Sequence, residues 1–235
     1  MIKGIYLAAR SLNNGFQRIS NIANNLANIN TTGYKRELPF FEVLDKAGKP
    51  TIKQMVDYTQ GDFSKTSNQL DLAISGSGFF AVKKNDKIEL TRNGRFNISE
   101  DGFIVNQNGS KLMGKGGAIN VSDLELAKNN ELKIMKNGKI YLGKELLGEI
   151  VIMNPKDTST LQRDSNLNFY SDTENYQPIQ SENYKIFQGY LENSNVNTIS
   201  EMQAMISTNS DYQSSYKIIT YLDKSLEKAN EIGKV

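Results

Sequence analysis

Apolar side chains recur at Ile2, Ile5, Ala9, Leu12, Phe16, Ile19, Ala23 and Leu26, at intervals alternating between three and four residues. That spacing keeps one stripe of an α-helix apolar and asks for a partner helix rather than a sheet. The pattern breaks at Asn30-Thr31-Thr32-Gly33, where glycine suits a left-handed helix stop. A second stripe closes the chain, with Met202, Met205, Tyr212, Tyr216, Ile219, Leu222, Leu226 and Ala229, and with Asn209 where an apolar residue is expected. Thr198-Ile199-Ser200-Glu201 reads as the capping box that starts it. Ile199, Ile206 and Ile218 lie off this stripe, so pairing the two ends leaves apolar surface for neighbours in an assembly. Periodicity alone is equally compatible with a helix pair that packs only within its own chain.

Between the helices the period changes. Residues 37–60 hold Pro39, Gly48 and Pro50 without a sustained repeat and read as an extended connector, with room for short strands. From Gly61 onward the chain alternates like a sheet at Leu70, Leu72 and Ile74, then gives the apolar run Phe79–Val82. Turn dipeptides follow at Asn93-Gly94, Asp101-Gly102, Asn108-Gly109 and Asn137-Gly138, each tolerant of the positive φ that tight hairpins need. The short pieces between them predict strands at 88–91, 95–98, 103–105, 132–135, 139–142 and 148–153. The expected fold class is α+β. A mostly antiparallel, all-β central domain over 61–189 is flanked by long N- and C-terminal α-helices, 1–36 and 190–235, that pair as a coiled coil.

Composition removes several kinds of chemistry. The chain of 235 residues has no cysteine, histidine or tryptophan, which excludes disulfides, thiolate catalysis, Cys/His zinc sites and histidine acid-base work. A net charge of +2 gives no broad field for nucleic acid, and no apolar run approaches the ~18 residues of a membrane span. Arg10, Asn13 and Asn14 interrupt any apolar core of a secretory signal. Gly76-Ser77-Gly78 precedes a strand-like run, so it reads as a bulge or turn, not as a phosphate loop at a helix N-terminus. Glu100, Asp101 and Asp123 are carboxylates of ordinary surface character. The expectation is a protein with no catalytic, cofactor-binding or metal-ligating residues.

Four stretches nevertheless stand out together. Asn24-Asn25-Leu26-Ala27-Asn28-Ile29-Asn30-Thr31-Thr32-Gly33-Tyr34-Lys35 resembles the signature of the bacterial flagellar rod and hook protein family. Leu70–Phe80 resembles that family's second motif, Leu90–Phe96 with Asp101–Val105 and Gly109 its third, and Gly189–Asn197 with Glu201-Met202 and Met205-Ile206 its fourth. The short connector, the opening Met1–Tyr6 and the stretch Leu161–Tyr170 resemble the proximal-rod branch more than the distal-rod branch.

The resemblance implies a structural subunit of the flagellar basal-body rod, the drive shaft crossing the periplasm. It further implies export by the flagellar type III apparatus without a cleaved signal, and partners that are other rod subunits and further copies of the chain. The terminal helices would carry the assembly contacts, through Ile5, Leu12, Phe16, Ile19, Leu26, Asn28, Asn195, Met202, Met205, Tyr212, Tyr216, Ile219 and Leu226. A monomeric β-domain binding module and a polysaccharide-cleaving enzyme with two carboxylates are the readings from other classes.

Overall fold

The computed structural model describes residues 2–44, 50–121, 132–171 and 176–232. Its architecture is α+β: α1 (Ile2–Ala27) and α2 (Thr198–Ile232) flank a mostly antiparallel β domain along the chain. Two compact units result. The helical unit takes 1–29, 35–58 and 196–235, and the β unit takes 30–34 and 59–195.

In the helical unit α1 and α2 pack antiparallel. Leu222 lies against Gly4, Ser215 Oγ is 3.0 Å from Ser11 Oγ, Tyr212 packs on Gly15, and Asn25 Nδ2 donates to Glu201 Oε2 at 3.4 Å. The least exposed positions of α1 along this seam are Ile5, Ala8, Leu12, Gly15, Ile19, Ile22 and Leu26; those of α2 are Glu201, Met205, Thr208, Tyr212, Ser215, Ile219, Leu222 and Leu226. The three-four spacing therefore holds, but alternate members of each stripe differ from expectation. Ala8, Gly15 and Ile22 replace Ala9, Phe16 and Ala23, and Phe16 is 63% exposed. Met202 and Tyr216 likewise stand outward, at 54% and 57%, while Thr208 and not Asn209 faces in. The cause is size matching. At Gly15 a Cβ would sit 3.4 Å from the Tyr212 ring, so the small residue admits the aromatic one.

The start of α2 is another departure. Asn197 caps it, its Oδ1 accepting from Ser200 N at 3.0 Å, as expected of one of the strongest capping side chains. The predicted Thr198–Glu201 box does not form, because the Glu201 carboxylate accepts instead from Arg36 Nε and from Asn25. The stretch 37–60 contains an antiparallel strand pair, β1 (Glu37–Leu44) with β2 (Pro50–Val56), irregular in register between Leu38 and Phe41. Asn25 fastens its first residue: Nδ2 donates to Glu37 O at 2.9 Å and Oδ1 accepts from Glu37 N at 2.8 Å.

The β unit is built around β4 (Leu72–Gly76), β5 (Phe79–Lys84) and β6 (Lys87–Thr91). β5 pairs with β6, with β9 (Lys111–Gly114) and with β14 (Ile152–Pro155), all antiparallel. Phe79–Val82 are all buried, as a strand covered on both faces requires. Leu72, Ile74, Phe80, Val82, Phe96, Ile104, Leu112, Ile140, Ile150 and Ile186 form one core, with Phe80 and Phe96 edge to face at 5.4 Å. Each such side chain contributes about 1.5–3 kcal/mol by leaving water.

Three predicted turns close hairpins: Asp101-Gly102 joins β7 (Phe96–Ile98) to β8 (Ile104–Asn106), Asn108-Gly109 joins β8 to β9, and Asn137-Gly138 joins β11 (Leu132–Ile134) to β12 (Lys139–Leu142). Asn93-Gly94 does not. Its Gly94 O accepts from Leu72 N at 2.9 Å, and the chain passes across β4 instead of folding back. The β5–β6 hairpin turns through Asn85 and Asp86, both at positive φ, a pair sequence reading passed over. The expected strand 148–153 is divided between β13 (Glu145–Glu149) and β14.

Candidate assembly interface

The helical unit leaves large apolar side chains exposed off its own seam. Tyr6, Leu7 and Phe16 on α1, and Ile199, Met202, Ile206, Tyr216, Ile218 and Tyr221 on α2, are each more than half exposed. Scattered exposed apolar residues are ordinary; this many large ones along two adjoining helices are not. Of the residues expected to carry assembly, Ile5, Leu12, Ile19, Leu26, Met205, Tyr212, Ile219 and Leu226 lie on the intrachain seam, and Phe16, Met202 and Tyr216 lie on the outer face. The remaining two, Asn28 and Asn195, bond to backbone carbonyls. Asn28 Nδ2 donates to Asn24 O at 2.9 Å, and Asn195 Nδ2 donates to Thr59 O at 3.0 Å.

A second constellation lies wholly inside the β unit. The four stretches that stand out in the sequence meet at β19 (Tyr190–Glu192), which pairs with β3 (Phe63–Lys65). Arg92 and Glu192 are both buried there, with Arg92 Nη1 donating to Glu192 Oε2 at 3.0 Å and to Ile74 O at 3.1 Å. Arg92 Nη2 donates to Gly76 O at 2.6 Å, and the guanidinium sits 5.4 Å from the centre of the Phe79 ring. Burial pushes the Arg92 guanidinium below its ordinary pKa, and the charge and hydrogen bond of Glu192 oppose that shift.

Glu192 also gathers the neighbouring passes of the chain. Its Oε1 accepts from Gly61 N at 3.1 Å and its backbone carbonyl accepts from Gly33 N at 2.7 Å. Gly33 has φ +68°, and a Cβ there would lie 2.4 Å from the Arg92 carbonyl carbon; at Gly61 it would lie 2.1 Å from Asn193 O. Only glycine permits both approaches. Asn193 N donates to Asp62 O at 2.8 Å, and the Arg163 guanidinium covers the Tyr34 ring at 4.6 Å. Sequence reading missed this meeting point. Its only trace was the presence, within separate motifs, of glycines and of one Arg and one Glu with no local partner.

The other candidates carry no visible chemistry. Glu100 and Asp101 are exposed in the β7–β8 turn, and Asp123 lies outside the described residues. Gly76 and Gly78 link strand β4 to strand β5, so no helix N-terminus follows them. Among the described residues no helix is long and apolar enough to cross a membrane.

Together these features define a chain whose two ends fold into one helical unit with an uncovered apolar face, and whose middle is a β unit drawn together at one buried ion pair. Comparison with known proteins carries the description further. Residues 5–35 match the family described as flagella basal body rod protein, 73–142 the flagellar hook protein FlgE/F/G D1 domain, and 188–232 the flagellar basal body rod FlgEFG protein C-terminal region. The flagellar basal-body rod protein FlgF of Caulobacter vibrioides is 33% identical over 229 residues, covering 91% of each chain. The rod protein FlgG of Buchnera aphidicola subsp. Baizongia pistaciae is 30% identical over 266 residues, covering 97% of this chain and 98% of its own. FlgF of Buchnera aphidicola subsp. Schizaphis graminum is 28% identical over 249 residues, covering 100% and 99%. The chain belongs to the flagellar basal-body rod protein family, which is a family of structural proteins and not of enzymes.

Proposed function

We propose that the chain is a structural subunit of the bacterial flagellar rod, built into it through the outer face of the helical unit. The observation that carries this reading is the row of large apolar residues left exposed on α1 and α2 in a chain of this family. In the rod that face packs against the helices of other rod subunits and further copies of the chain. The seam of α1 and α2 is a short antiparallel coiled coil, supported by contacts that advance in step from Gly4–Leu222 to Asn25–Glu201. Segments 1–36 and 190–235 act as the assembly domain, 37–60 as the connector and 61–189 as the β domain.

Within the family the proximal rod protein FlgF is the favoured counterpart. The alignment with Caulobacter vibrioides FlgF spans 229 positions over 91% of this chain and so needs fewer gaps here than the alignment with FlgG above, which spans 266 positions over 97%. FlgG, the distal rod protein, is the second reading, its 30% identity lying between the 33% and 28% of the two FlgF relatives. The subunit reaches the periplasmic rod through the flagellar export apparatus, without a cleaved signal, and has no enzymatic role, cofactor or nucleic-acid partner. Deleting its gene and imaging basal bodies tests the proposal. Rods that are absent or truncated are expected; complete rods bearing filaments would overturn it.

A further inference from the structure

We infer that the Gly33–Arg92–Glu192 constellation is a clamp that pins the chain's ends side by side and so promotes pairing of the terminal helices within one molecule. The clamp is entirely a property of the β unit and does not rest on the rod proposal.

Its parts fix three separate passes of the chain at one strand. Glu192 O holds Gly33, Glu192 Oε1 holds Gly61, and Asn195 holds Thr59, while the buried Arg92 locks the Glu192 side chain from behind. The passes are distant in sequence, and nothing in the helices is needed to make these bonds. The consequence is one of chain length. α1 ends at Ala27, six residues before Gly33, and α2 begins at Thr198, six residues after Glu192. With Gly33 released, the helices are still joined through β3 and β19, where Glu192 lies opposite Phe63; with Gly33 held, the tether is shorter. Counted along the chain from Ser11 to Ser215, the path is about 75 residues through the β3–β19 pair and about 45 through Gly33. Loop-closure statistics then raise the local concentration of one helix near the other roughly twofold.

The tight approach at Gly33 supplies the means to open the clamp selectively. Gly33→Ala sets a methyl group against the backbone of Arg92 and Asn93 without touching either side chain of the Arg92–Glu192 pair. The chain contains no cysteine, so Ser11→Cys with Ser215→Cys, whose hydroxyl oxygens stand 3.0 Å apart, provides a clean readout. Titration of that thiol pair against glutathione in the full chain measures its effective concentration. Adding Gly33→Ala is expected to lower it roughly twofold, to expose residues 30–34 to protease, and to leave hydrogen exchange at the buried β5 amides unchanged. Tyr34→Ala, which removes the stack under Arg163 and empties a buried site beside Gly33, should shift it in the same direction and serves if Gly33→Ala does not fold. An unchanged effective concentration with 30–34 released, in either variant, would overturn the inference. So would continued protection of 30–34 in Gly33→Ala.

Discussion

Replacing Glu192 with alanine should be among the most damaging single changes to the β unit. The carboxylate is fully buried, and its loss strands the Arg92 guanidinium with only the carbonyls of Ile74 and Gly76. The two influences that oppose desolvation of Arg92 both come from Glu192, so the charge is left uncompensated. Breaking one side of a buried pair costs about 3–5 kcal/mol, and the orphaned Gly61 N adds about 1 kcal/mol. With a urea dependence of about 2 kcal/mol per molar, the midpoint should fall by roughly 2–3 M. Hydrogen exchange at the buried β5 amides across a urea series reads the β unit separately from the helices. The paired change Arg92→Met with Glu192→Gln removes both charges and should recover most of the loss, because desolvation consumes much of what a buried pair gains. A midpoint shift below about 0.5 M for Glu192→Ala, or a double variant no better than the single, would refute the reasoning.

Other expectations follow from single contacts. Gly15→Val should weaken the helix pair by about 1–3 kcal/mol through collision with Tyr212, seen as a lower melting temperature at 222 nm; Gly15→Ala should be near neutral, its gain in helix propensity offset by the 3.4 Å contact. Asn25→Ala removes both bonds to Glu37 and should cost about 2–4 kcal/mol, with hydrogen exchange at the Glu37 amide accelerated. Burial, helped by the negative charge of Glu149, pushes the Tyr184 phenol above its ordinary pKa. The unfolded chain therefore ionises first, and β-unit stability should fall as pH rises above about 10; Tyr184→Phe should flatten that fall in urea titrations.

The helices were legible because a three-four apolar spacing is a local signal, and the hairpins at Asp101-Gly102, Asn108-Gly109 and Asn137-Gly138 because positive φ favours few residue types. Which neighbour of each apolar pair faces inward was not legible. Ala8 and Ala9 offer no contrast, and Phe16 is outscored by Gly15 only because Tyr212, nearly two hundred residues on, fills the space. Thr208 and Ser215 sit on the α2 seam for the same reason: a polar side chain there is judged by the opposing helix, which a local pattern does not contain. The clamp was the least visible element. Gly33, Arg92 and Glu192 are joined by two bonds across long separations, and only their motifs, not their pairing, could be seen in one dimension.

Other rod subunits covering the exposed apolar residues of α1 and α2 would shield Phe16. Phe16→Cys, the sole cysteine in an otherwise cysteine-free chain, lets hydrophilic maleimide labelling be compared between the dilute monomer and isolated basal bodies. Rapid labelling is expected in the monomer, where Phe16 is 63% exposed, and strong protection in basal bodies. Equal labelling in the two would show that no neighbouring subunit covers Phe16.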